Sequence, residues 1–191
     1  MNYLAHALLA EPYAHSLIGN IAGDLVKGPL SQHRLHPRVA DGVRRHRRVD
    51  ALTDRHDAYR SLRQLFPDGE RRYSGLVLDV LFDHYLVRHW QRFTEWQRDA
   101  FLEGTYRVLR ENPHLLPRGL ALVAERWTDA DWLRVYETRE GVVAVLERLA
   151  QRLKRPVALA SMLDIADQHA DEFNRGFLHV FSDVQRGINA Q

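Results

Sequence analysis

Cysteine is absent from all 191 residues. That removes disulfides, thiolate metal sites and cysteine nucleophiles at once, so any bound metal must rest on histidine, carboxylate and water. Lysine is almost absent too: of 27 basic residues only Lys27 and Lys154 are lysines. The formal net charge is just +2, which argues against a general nucleic-acid binder. No apolar run approaches the ~18–20 residues of a membrane span. The opening MNYLAHALLA lacks a basic leader and is interrupted by His6, so it reads as a buried helix of a cytoplasmic protein, not a secretion signal. Alternating strand patterns are also missing, and with them any strand-borne glycine-rich phosphate loop. No GxSxG elbow or HEXXH zinc motif occurs.

What the chain does have is helical periodicity and 45% hydrophobic residues, enough for a sizeable core. The stretch Leu76–Trp90, LVLDVLFDHYLVRHW, is apolar all round and long enough for about four helical turns, the mark of a central helix. Asp79, Asp83 and His84 sit in its middle. Asp79 and Asp83, four residues apart, share a face, and two carboxylates that close need a cation, a shared proton or a basic partner. A satisfied core network of Asp, His and Arg answers that need as well as a metal does.

Punctuation by Pro, Gly and capping residues predicts helices over 2–10, 14–27, 37–53, 55–66 and about 70–91. Thr94 is expected to cap a helix over 95–111, and Thr128 with Asp131 to form a capping box for a short helix carrying Trp132 and Tyr136. Thr138 opens a helix to Leu153, stopped before Pro156, and a last long helix covers 158–187. The expectation is one all-α, single-domain helical bundle over 1–191.

Several core-facing stripes carry ionisable groups. Val39 and Val43 lead into His46, Asp50 and Asp54 along one side of the third helix. Asp24, with Asn20 beside it, falls on the apolar side marked by Leu17 and Ile21, and His6 lies in line with Asn2 and Leu9. One such intrusion is ordinarily a structural hydrogen-bond network; four together favour a shared site between helices, where bundles build metal centres. Histidine and carboxylate without sulfur suit manganese, iron, magnesium or zinc. The clusters Arg44–Arg48 and Arg71–Arg72 lack interleaved aromatics for base stacking and read first as solvated helix faces.

The opening MNYLAHALLA, GNIAGDLVKG at 19–28, HRRVDALTD at 46–54 and LDVLFDHYLVRHW at 78–90 resemble the acyl carrier protein phosphodiesterases, also called acyl carrier protein hydrolyases. The resemblance covers the first ninety residues; beyond them it rests on helicity and a Trp-rich middle. It implies removal of the phosphopantetheine arm from holo acyl carrier protein, an HD-like helical fold related to metal phosphohydrolases, and a preference for Mn2+, with Fe2+ or Mg2+ as alternatives. HD enzymes carry an adjacent His-Asp pair; here the order is inverted, Asp83-His84. The family motifs point to His6, Asp24, His46, Asp50, Asp79, Asp83 and His84.

From both lines, Asp24, Asp83 and His84 are expected foremost as ligands, with His46 and Asp50 next. His6 is expected as a ligand or as the acid for the leaving serine oxygen. Arg47 or Arg48 would hold the phosphate, and Arg44, Arg45, Arg48, Arg71 and Arg72 would dock an acidic carrier. The competing readings are an HD-like phosphohydrolase of nucleotides or other small phosphoesters, and a non-enzymatic helical adaptor.

Overall fold

The computed structural model describes residues 1–155 and 157–190, and no strand occurs among them. The α-helices are α1 (Tyr3–Leu8), α2 (Ala14–Ala22), α3 (Pro37–Arg55), α4 (Asp57–Gln64), α5 (Asp68–Arg71), α6 (Ser74–Arg88), α7 (Trp90–Phe93), α8 (Arg98–Glu111), α9 (Arg118–Asp129), α10 (Arg139–Ala150), α11 (Leu163–Gln168) and α12 (Ala170–Asn189). The fold is all-α. Among the described residues no helix is long and apolar enough to cross a membrane. Pro156, the expected stop after the helix opened by Thr138, lies outside the described residues.

The chain divides into two compact units, each assembled from separated segments. The first comprises Met1–Asn2, Ala51–His89 and Val135–Gln191. Its centre is aromatic: Phe82 meets Tyr59 edge-on at 5.8 Å and Phe177 at 5.4 Å, and Phe177 also packs on Tyr85 and Phe181. Helix α6 is buried along most of its length, as a helix without a polar face must be. The second unit comprises Tyr3–Asp50 and Trp90–Arg134. Ile18, Ile21, Val39, Val43, Leu109 and Leu120 are among the residues of its core, which draws on α2, α3, α8 and α9.

Local chemistry explains where the elements depart from expectation. The α-helical hydrogen bonding of α2 stops at Ala22 and the chain tightens into a 3-10 turn over Gly23–Leu25, short of the expected Lys27. Thr94 does not cap α8: its hydroxyl accepts from the Trp96 amide, and Gln97 takes the cap position. The short helix carrying Trp132 and Tyr136 is present as a 3-10 helix over Trp132–Glu137, but Thr128 does not cap it, because it lies inside α9 and donates to the Glu125 carbonyl. Helix α9 is additional to the expected elements, with Leu120, Val123, Ala124 and Trp127 at helical spacing. The expected helix over 158–187 is three pieces, a 3-10 turn at Leu159–Met162, then α11, then α12, broken at His169. Thr138 does cap α10, its hydroxyl accepting from the Gly141 amide.

Candidate metal centre

Helices α2 and α3 cross at a pair of glycines. A Cβ on Gly19 would collide with the Val39 carbonyl and come within 2.7 Å of the Gly42 Cα, and one on Gly42 would meet the Ser16 carbonyl at 2.7 Å. Backbone therefore lies against backbone, an approach that any larger residue would prevent. This closeness lets the Asn20 carbonyl reach the ring of His46, whose Nδ1 donates to it at 2.8 Å. A carbonyl can only accept, so Nδ1 carries the proton and the bond fixes the ring's orientation.

One turn further along α3 stands Asp50, four residues after His46 and therefore on the same face. Its Oδ2 lies 3.0 Å from His46 Nε2, while its Oδ1 lies 3.1 Å from Nε2 of His6 on α1. The two imidazoles stack 3.7 Å apart and within 19° of parallel. Both rings are buried, at 1% exposure for His6 and 2% for His46, whereas the Asp50 side chain is 38% exposed and opens the cluster to solvent. Burial drives the His6 imidazole down to about 4, against the pull of its hydrogen bond to Asp50 and helped by neighbouring His46. Burial also opposes ionisation of Asp50, but the hydrogen bonds from His46 and His6 outweigh it and hold that carboxyl well below the usual carboxylate range.

His6, His46 and Asp50 each offer a ligand atom, and these atoms all lie within 4.8 Å of one another. It is the one group of three or more potential ligands so gathered among the described residues. Two nitrogens and a carboxylate oxygen are a donor set for a borderline divalent cation. His46 donating its far ring nitrogen to a backbone carbonyl is the usual support of a metal-ligating histidine. His6 Nδ1, the ring nitrogen not turned to Asp50, is buried without a hydrogen-bond partner. The residues fit a divalent metal.

The other expected site residues have these surroundings. Asp24 stands in the 3-10 turn after α2, about half exposed, with Oδ1 3.9 Å from His46 Nε2 and 3.6 Å from Lys27 Nζ. In the first unit, Asp79 Oδ1 accepts from the Met1 amino group at 2.8 Å and from the Tyr59 hydroxyl at 3.3 Å. Asp83 is fully buried on α6, and His84 Nδ1 donates to the Tyr136 carbonyl at 2.8 Å. Arg47 Nη2 donates to the carbonyls of Val26 and Gly28, at 2.9 and 2.7 Å, and so ties the loop after Asp24 to α3. Arg45 donates to the Leu9 carbonyl, Arg44 pairs with Asp41, Arg71 with Asp68, and Arg72 lies over the Tyr73 ring. Asn20's carbonyl and the glycines at 19, 23 and 42 were not legible as parts of the site; the only hint was the four-residue spacing of small residues in GNIAG.

The family model for acyl carrier protein phosphodiesterase matches residues 1–184. A protein of Yersinia pestis called acyl carrier protein phosphodiesterase is 33% identical over 188 residues, 97% of this chain and 96% of its own. One of the same name from Pectobacterium atrosepticum is 35% identical over 175 residues, 91% of this chain and 90% of its own. Another, from Salmonella agona, is 33% identical over 183 residues, 95% and 94%. No solved structure matches. With a match that runs almost from end to end, the chain belongs to the acyl carrier protein phosphodiesterase family.

Proposed function

We propose that this protein is a metal-dependent phosphodiesterase that hydrolyses holo acyl carrier protein to apo carrier and free phosphopantetheine. Membership of a family of hydrolases acting on phosphodiester bonds supports the reaction class and the carrier as substrate. The observation that carries the rest is the convergence of His6 and His46 on the single carboxylate of Asp50. His46 Nδ1 is committed to the Asn20 carbonyl, so its Nε2 confronts a carboxylate; a proton or a cation must lie between them.

His6, His46 and Asp50 would hold the metal, with Asp24 as a further carboxylate at the rim, 3.9 Å from His46 Nε2. Manganese is the proposed metal, with iron or magnesium as alternatives. When bound, such a cation supplies Lewis acidity toward a phosphoryl oxygen and toward the attacking water. The protein's own groups do the rest. Asp50 stays ionised, so it balances the charge of a cation and accepts hydrogen bonds at the same atoms. Arg47 has its Nη2 on loop carbonyls and keeps its other guanidinium donors for a phosphate oxygen, with Arg48 the second proposed phosphate partner. Asp83 and His84 remain proposed site residues on the strength of the family motif; His84, with Nδ1 committed to Tyr136, keeps Nε2 for a ligand.

The test is mass spectrometry of purified holo carrier incubated with the protein, before and after chelation and after Mn2+ is restored. Loss of the arm only with metal present supports the reading, and full activity in chelator overturns its metal part. A panel of nucleotides and small phosphoesters run alongside separates a carrier enzyme from a general phosphohydrolase.

A further inference from the structure

We infer that Gly23 is a positioning residue for the His46 imidazole, its bare Cα forming the wall against which that ring is set. A Cβ built on Gly23 overlaps Cγ, Cδ2 and Nδ1 of the His46 ring. No backbone adjustment of a few tenths of an ångström relieves a collision with three atoms of a rigid, buried ring.

The positions of the wall and of the hydrogen-bond acceptor are linked. Asn20's carbonyl accepts both from the Gly23 amide, as the chain tightens into the 3-10 turn, and from His46 Nδ1. One carbonyl therefore sets the turn and aims the ring. Asn20 is held in turn by its own side chain, whose Nδ2 donates to the Ser16 carbonyl at 2.9 Å. The φ of Gly23 is −52°, ordinary helical backbone that any residue adopts. Conformational freedom thus does not account for glycine here; the space taken by His46 does. The same turn places Asp24 directly after Gly23, so hydrogen-bond acceptor, wall and rim carboxylate are specified within five residues of chain.

This inference rests on the metal reading only for its consequence in binding; the steric coupling stands without it. Gly23→Ala, His46→Ala and the double variant, all in the full chain, test both. In calorimetric titrations with Mn2+, Gly23→Ala is expected to bind ten-fold or more weakly, the range seen when a ligand's orienting shell is disturbed. In thermal unfolding with chelator, Gly23→Ala should lower Tm in the parent but hardly at all in the His46→Ala background, where the ring it strikes is gone. Should Gly23→Ala alone fail to fold, a folded double variant supports the inference and an unfolded one overturns it. An equal Tm loss with and without the His46 ring also overturns it, as does parental Mn2+ affinity in Gly23→Ala. If the parent binds no Mn2+, the metal reading fails, and the Tm coupling between positions 23 and 46 still decides the role of Gly23.

Discussion

His6 and His46 present their rings face to face, 3.7 Å between centroids, each with Nε2 on a different oxygen of Asp50. Two imidazolium ions at that distance in a buried site would repel strongly, so a single carboxylate cannot settle both as cations. The arrangement is stable with His6 neutral, and burial keeps it so. Stacked rings that share one carboxylate present their nitrogens toward one point, which a divalent cation satisfies better than protons do.

Replacing the carboxylate tests this directly. Asp50→Asn preserves shape and removes the charge that balances a cation, so Mn2+ affinity should fall at least ten-fold and carrier hydrolysis at least a hundred-fold. Calorimetry and single-turnover mass spectrometry read the two effects. Unchanged binding would take Asp50 out of the site.

The metal-free protein should lose stability as pH falls from 6.5 toward 4. His6 binds its proton at about 4 when folded and at about 6.5 when unfolded, so across that window the unfolded chain holds more protons and acid favours it. The full loss is on the order of 3 kcal/mol. Asp50, held low, adds a separate loss that begins only below the ordinary carboxylate pKa near 3.8. Urea midpoints in chelator across pH 4–7 give the slope, and His6→Gln should flatten it in the upper part of the range.

The glycine crossing should tolerate no side chain. Gly19→Ala drives a methyl into the Val39 carbonyl and the Gly42 Cα, a backbone clash expected to cost about 3 kcal/mol. Gly104→Ala, inside α8 with nothing within 4 Å of the added Cβ, should stabilise by roughly 0.5–1 kcal/mol. Opposite signs in denaturant unfolding are the expected result.

At the start of α10, Thr138→Ala removes the hydroxyl that accepts from the Gly141 amide. A lost cap of this kind destabilises by about 1 kcal/mol. Thr138→Ser, which keeps the oxygen, should recover most of it in the same unfolding assay.

Most of the helical framework was legible because its signals are local. The cap at Thr138, the proline start of α3 and the apolar circumference of α6 each act within one or two turns. The failures also have local causes: Thr128 and Asp131 mimic a capping box, yet Thr128 spends its hydroxyl inside α9. His46 and Asp50 could be paired on one face by the four-residue spacing alone. Asp79 and Asp83 share that spacing, but the finding that Asp79 meets the Met1 amino group depends on residues 78 positions apart.

By itself the sequence determined an all-helical chain, without cysteine chemistry, whose core-facing stripes carry imidazole and carboxylate. Periodicity dictates that much, because a side chain's direction around a helix follows from its place in the order. Only the tertiary structure decided that His6, 44 residues from Asp50, shares its carboxylate with His46, and that Gly19, Gly23 and Gly42 exist to let backbone approach backbone and ring. Which faces meet, and how closely, depends on steric fit between segments far apart in the chain.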